Sequence, residues 1–148
     1  MARRPLIFLA RGAVRDRVEP NPSPVASKRV LIVDDSGTVR QQVRAALAGA
    51  GFEVVEACDG AEGAETIHRL ADLAAVICDV NMPRMGGLEM LEAIKSENKY
   101  ASLPIVMLTT EGQTELVQRA KLAGAKGWIV KPFKPELLLA AIRKLTTA

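Results

Sequence analysis

A chain of 148 residues that is 49% apolar and 25% charged can bury one core without disulfides or a structural metal. Aromatics make up only 3%, so that core has to be aliphatic and rich in alanine. The formal charge of +3 is unevenly spread: residues 1–28 carry +4 and the other 120 carry −1. The folded part is therefore close to neutral, and composition makes no case for nucleic acid as a partner. No apolar run approaches the ~18 residues of a transmembrane segment. Cys58 and Cys78 both fall in strand-like runs, too few and too oddly spaced for a disulfide scaffold or a metal site. Both are expected to be buried, reduced thiols, which fits a cytoplasmic protein.

Residues 1–27 read as a basic leader and linker, and 28–148 as one domain. Four of the eight prolines (Pro5, Pro20, Pro22 and Pro24) fall in the leader. Leu6, Ala10, Val14 and Val18 recur at helical spacing, with Arg4, Arg11 and Arg15 displaced from them. Two readings stay open: a short amphipathic helix that docks on a partner, the domain or a membrane surface, or a disordered leader. Asn21-Pro22-Ser23-Pro24 is then an extended linker.

From Arg29 the chain alternates regularly. Val30-Leu31-Ile32-Val33 is an apolar strand ending in Asp34-Asp35. A helix follows from Thr38 to Ala50, with Val39, Val43, Ala46, Leu47 and Ala50 on one face and Gly51 ending it. Gly37 stands at its start in place of a stronger cap. Glu53–Ala57 is a second strand and Ala61–Leu70 a second helix. Ala75–Cys78 is a third strand that stops at Asp79, and Gly87–Ser96 a third helix. Pro104 opens a fourth strand, Ile105–Leu108, ending in Thr109-Thr110. Gln113–Ala123 is the fourth helix, capped by Gly124. Trp128–Val130 is the fifth strand, ending in Lys131-Pro132. The last helix, Glu136–Leu145, is apolar at Leu137, Leu138, Ala141, Ile142 and Leu145. Continuous hydrophobic strands mean a parallel sheet covered on both faces. The expected fold is α/β, a (βα)₅ doubly wound sheet of order 2-1-3-4-5, the flavodoxin-like arrangement.

Every strand-end polar group then meets at one edge. Asp34 and Asp35 follow strand 1, Asp79 strand 3, Thr109 strand 4 and Lys131 strand 5, with strands 1, 3, 4 and 5 neighbours around the switch point. One carboxylate pair at ~4 Å costs roughly 4 kcal/mol at an effective dielectric near 20, so three of them want a cation. Carboxylates, a carbonyl and waters suit Mg²⁺. A metal, a fixed Lys⁺ and a hydroxyl donor are what phosphoryl transfer needs, and a carboxylate can be its nucleophile. Asp79, central in the arc, is the expected acceptor.

The stretches Leu31-Ile32-Val33-Asp34-Asp35, Cys78-Asp79-Val80-Asn81-Met82-Pro83, Met107-Leu108-Thr109-Thr110-Glu111 and Val130-Lys131-Pro132-Phe133 resemble the receiver domain of bacterial two-component response regulators. The likeness runs from about Lys28 to Leu145. It implies that Asp79 is phosphorylated by a phosphohistidine on a sensor histidine kinase. It implies Mg²⁺ held by Asp35 directly, Asp34 mainly through water, Asp79, and the backbone carbonyl of Asn81. Thr109 would bond the phosphoryl oxygen, Lys131 would pair with its charge, and the Lys131-Pro132 bond would be cis. Trp128 stands where the family carries its switch aromatic. The helix-strand-helix unit around it would be the signalling face.

Asn81, Glu111 and Thr109-Thr110 are similar to the chemotaxis-type, single-domain members. Three residues follow Leu145, so output is expected through protein contact. The partner would be a flagellar switch component or, in a phosphorelay or phosphate sink, a phosphotransfer protein; a non-phosphorylated interaction module is the third reading. Gly86 and Thr110 depart from the family's usual residues, with expected effects on the mobility of the loop after Asp79 and on the room for Trp128. His68, the sole histidine, is expected on the surface, away from the site.

Overall fold

A computed structural model describes residues 28–147 apart from Pro83 and residues 111–113. The leader readings, Pro83, Glu111 and the helix start at Gln113 therefore lie outside the described residues. The elements run β1 (Lys28–Val33), α1 (Gly37–Ala48), β2 (Phe52–Ala57), α2 (Gly60–Arg69) and β3 (Leu73–Asp79). They continue with α3 (Gly87–Lys95), a 3₁₀ turn (Asn98–Tyr100), β4 (Ile105–Thr109), α4 (Thr114–Ala123), β5 (Gly127–Val130) and α5 (Pro135–Thr146). The five strands form one parallel sheet of order β2-β1-β3-β4-β5. This is the 2-1-3-4-5 order expected from the sequence.

Successive strand residues face opposite sides of a sheet, so a strand covered on both sides must be apolar at every position. In β1, Val30 and Ile32 pack with Val43 and Leu47 of α1 and Leu138 and Ile142 of α5. Leu31 and Val33 pack the other way, with Ile67 of α2 and Leu88, Leu91 and Ile94 of α3. Those four β1 side chains are fully buried. The edge strand β5 alternates between half-buried and exposed positions, as a strand with one open side should.

Three local expectations need correction. The cap of α1 is Ser36, whose hydroxyl accepts from the Val39 N–H at 3.2 Å, so Gly37 does not stand in for it. That helix ends at Ala48, with Gly51 at φ 94° in the turn beyond. Cys58 is exposed and lies past the end of β2, because the strand stops where its neighbour β1 does; Cys78 is buried as expected. Leu137 is 62% exposed, since Leu138 and Ile142 already fill the face of α5 that meets the sheet. Gly124, at φ 109°, follows α4 as its expected cap.

Candidate functional site

β1, β3, β4 and β5 end together, and the residues at and just past their ends build one acidic pocket. Asp34 is fully buried, Asp79 nearly so, and Asp35 exposed. A ligand oxygen from each of the three lies within 4.8 Å of the others. The Lys131 ammonium sits between two of them, 3.0 Å from Asp34 Oδ2 and 3.0 Å from Asp79 Oδ1. The Lys131 backbone N–H donates to the Thr109 carbonyl at 2.7 Å, which ties the lysine to the end of β4. The Lys131-Pro132 bond is cis.

Backbone bonds place each carboxylate. The Ser36 N–H donates to Asp34 Oδ1 at 2.8 Å, so both oxygens of Asp34 are engaged within the protein. The Arg40 guanidinium donates to the Asp34 carbonyl at 2.7 Å. Asp79 is fixed through its C-terminal neighbours: Val80 N–H donates to the Leu108 carbonyl and Gly87 N–H to the Val80 carbonyl. A Cβ at position 87 would run into the Asp79 carbonyl oxygen. Only glycine lets the first turn of α3 come this close to the strand end.

Burial pushes the Asp79 carboxyl above its usual range, Lys131 pulls it down, and the Asp34 charge pushes it up again. Burial draws Lys131 down, but the hydrogen bonds with Asp79 and Asp34 outweigh it and hold the ammonium above its ordinary value. Thr109 lies at the same edge, with its hydroxyl oxygen buried and without a hydrogen-bond partner among the described residues. Three carboxylates against one ammonium leave the pocket two formal charges negative. One hard divalent cation cancels that excess, and an all-oxygen donor set is the kind such cations take.

Over residues 30–143 the chain matches the response regulator receiver domain. The chain belongs to that family. The receiver is 40% identical over 111 residues to chemotaxis protein CheY1 of Helicobacter pylori, spanning 74% of this chain and 90% of the relative. It matches the chemotaxis protein CheY homolog of Campylobacter jejuni at the same 40% identity, over 74% of this chain and 85% of that one. Among solved structures, chemotaxis protein CheY4 of Vibrio cholerae superposes with a TM-score of 0.75 at 43% identity. That alignment covers 81% of this chain and 99% of the other. A putative response regulator from Chloroflexus aurantiacus superposes at 0.76 with 32% identity, over 81% and 98% of the two chains.

In this receiver the structure brings Asp34, Asp35, Asp79, Thr109 and Lys131 to one edge, and leaves Asn81 exposed two residues past Asp79. Trp128 is 40% exposed on the outer edge strand, paired in register with Met107. Val130 on the same strand is paired with Thr109. His68 lies elsewhere, with its Nε2 2.7 Å from Glu97 Oε2 and its ring beside Tyr100. It borders a cavity of about 420 Å³ at the opposite edge of the sheet, lined among others by Ile67, Leu73, Tyr100 and Pro104. Among the described residues, no helix is long and apolar enough to cross a membrane.

Sequence reasoning missed Arg84, Asp59 and the close approach at Gly87. Asp59-Gly60 before a helix is a cap signal that was there to be read. Nothing in the sequence pairs it with Arg84, 25 residues away.

Proposed function

We propose that this receiver accepts a phosphoryl group on Asp79 from the phosphohistidine of a sensor histidine kinase and then switches a protein contact in chemotaxis signalling. The single observation that carries this is the Lys131 ammonium held 3.0 Å from both Asp34 and Asp79, beside a buried Thr109 hydroxyl that has no partner among the described residues. Asp79 presents a carboxylate oxygen at the mouth of the pocket as nucleophile. The O–P bond forms as the N–P bond breaks, and the imidazole leaves with the electron pair. Lys131 stays paired with the transferred group's charge, and Thr109 donates to one of its oxygens.

Asp35, Asp79 and the Asn81 carbonyl would hold Mg²⁺, with Asp34, already engaged by Ser36 and Lys131, acting through water. When bound, the ion supplies positive charge to the phosphoryl oxygens. An acceptor on Asp79 draws the Thr109 hydroxyl toward it, and the space left lets Trp128 turn in from its exposed position. α4, β5 and α5 then change as one face, which would meet a flagellar switch component. The relatives named as chemotaxis proteins support this choice of pathway, since the match spans 90% and 85% of their lengths.

Incubation with acetyl phosphate and Mg²⁺ tests the chemistry. Intact mass should rise by one phosphoryl group in the wild type and stay unchanged in Asp79→Asn; equal behaviour of the two proteins would sink the proposal. Capture of partners with and without a phosphoryl mimic tests the output. A motor component retained only with the mimic supports it, and retention of a phosphotransfer protein alone overturns it in favour of a relay.

A further inference from the structure

The loop between β3 and α3 is clamped from outside the acidic pocket. Arg84, in that loop, is the one non-glycine residue among those described with a left-handed backbone, φ 65°. Its Nε donates to Asp59 Oδ2 at 2.8 Å, and its Nη2 donates to the same oxygen. Asp59 is buried and holds the N-terminus of α2 with its other oxygen, which accepts from the Glu62 N–H at 2.9 Å. That backbone bond holds the Asp59 carboxyl below its ordinary range, against burial and with help from Arg84. One residue along each loop, the Gly60 N–H donates to the Met85 carbonyl at 2.9 Å. A Cβ at position 60 would collide with that carbonyl, and Met85 packs against the core. The two loops are thus joined at adjacent positions, once through side chains and once through backbone.

We propose that Arg84 is a positioning residue for the metal side of the pocket. Clamped to Asp59, it holds the turn that carries Asn81 between two fixed points and so raises the affinity of the pocket for Mg²⁺. This rests on the Mg²⁺ reading of the site given above. The turn leaves β3 at Asp79, anchored in the sheet, and is caught again at Arg84 and Met85. A backbone carbonyl on so short a span loses little freedom when it takes up a ligand position. Released at its far end, the same carbonyl must be ordered at the expense of binding. Groups that orient metal ligands without touching the metal act in this way. Gly86 brings no side chain to this part of the loop, where the Glu89 carboxylate accepts from the Gly86 N–H at 2.8 Å.

Two substitutions isolate the clamp. Asp59→Asn keeps an oxygen to cap α2 but drops the charge that holds Arg84. Arg84→Asn removes the fork yet suits a left-handed backbone. In the full chain, calorimetric titration with MgCl₂ should give a dissociation constant roughly tenfold weaker for either variant. The double variant should be no weaker than either single one, and Arg84→Lys should recover part of the loss. Amide exchange at Gly60 should quicken in the weakened variants, while the urea midpoint stays near the wild-type value. Wild-type Mg²⁺ affinity in Arg84→Asn overturns the proposal. So does a loss that follows the urea midpoint and is not restored by lysine, because that is a merely structural role. If the wild type itself binds no Mg²⁺, the metal reading of the site falls, and this inference falls with it.

Discussion

Replacing Asp79 with asparagine should stabilise the metal-free protein, even though Asp79 sits in an ion pair. The Asp79 carboxylate faces two others, with ligand oxygens all within 4.8 Å. At that separation and an effective dielectric of about 20, each repulsion is worth about 3.5 kcal/mol. The contact with Lys131 at 3.0 Å returns about 5.5 kcal/mol on the same scale. Two repulsions outweigh one attraction by about 1–2 kcal/mol, and burial of the charged form widens the gap. The raised Asp79 carboxyl points the same way: burial prevails over the hydrogen bond with Lys131, and the Asp34 charge adds to it. In EDTA at neutral pH the variant should melt about 3–8 °C higher, for a gain of about 1–2 kcal/mol. The fold raises this acid's pKa, so the stability lost on ionisation is present below the free aspartate value of about 3.9 and disappears as pH rises through the folded value. The variant's advantage should therefore vanish in acid and grow as pH rises through the folded value. Excess MgCl₂ should narrow it, because a ligand that binds the native state stabilises it, and the wild type keeps all its carboxylates. Calorimetric melting in EDTA and in MgCl₂ across that pH range is the assay. A variant less stable than wild type in EDTA at pH 7 would refute the electrostatic account of the pocket.

The unpartnered Thr109 hydroxyl implies that Thr109→Val is neutral or stabilising, by up to about 1 kcal/mol, in urea unfolding of the unphosphorylated protein. A clear loss would mean the hydroxyl is bonded in solution. Gly87→Ala should cost about 1–3 kcal/mol despite alanine's better helix propensity, because its Cβ meets the Asp79 carbonyl. A stabilised variant would show that the strand end can give way. Leu138→Ala, in the core, should lose about 2–5 kcal/mol, while Leu137→Ala, 62% exposed, should stay within about 0.5 kcal/mol. Equal losses in these two would mean that α5 docks by a different face.

The strands were legible because their apolar runs are continuous, and continuity at every position has one cheap explanation, burial on both faces. Asp34, Asp35, Asp79, Thr109 and Lys131 were legible for a related reason: each interrupts such a run at its C-terminal end. The helix faces were harder to read. Leu137 and Leu138 are the same residue type at consecutive positions, and only docking on the sheet decides which one is covered. Cys58 looked like strand because it extends the run Glu53–Ala57, yet it lies past the point where pairing with β1 stops. The α1 cap was misjudged by one residue, since Ser36 and Gly37 can each precede a helix and the choice rests on where the chain leaves Asp35.

By itself, then, the sequence determined the element order, the doubly wound sheet and the set of reactive groups gathered at its edge. These come from periodicity and from where apolar runs stop, both of which are local. Only the tertiary structure decided how those groups are shared. Lys131 bridges Asp34 and Asp79, and Ser36 takes up the other oxygen of Asp34. Asp35 stays exposed and the Thr109 hydroxyl is left without a partner among the described residues. It also decided that Arg84 meets Asp59 across two loops. Such pairings depend on distances of a few ångströms between residues far apart in the chain, and electrostatic energies change steeply over that range.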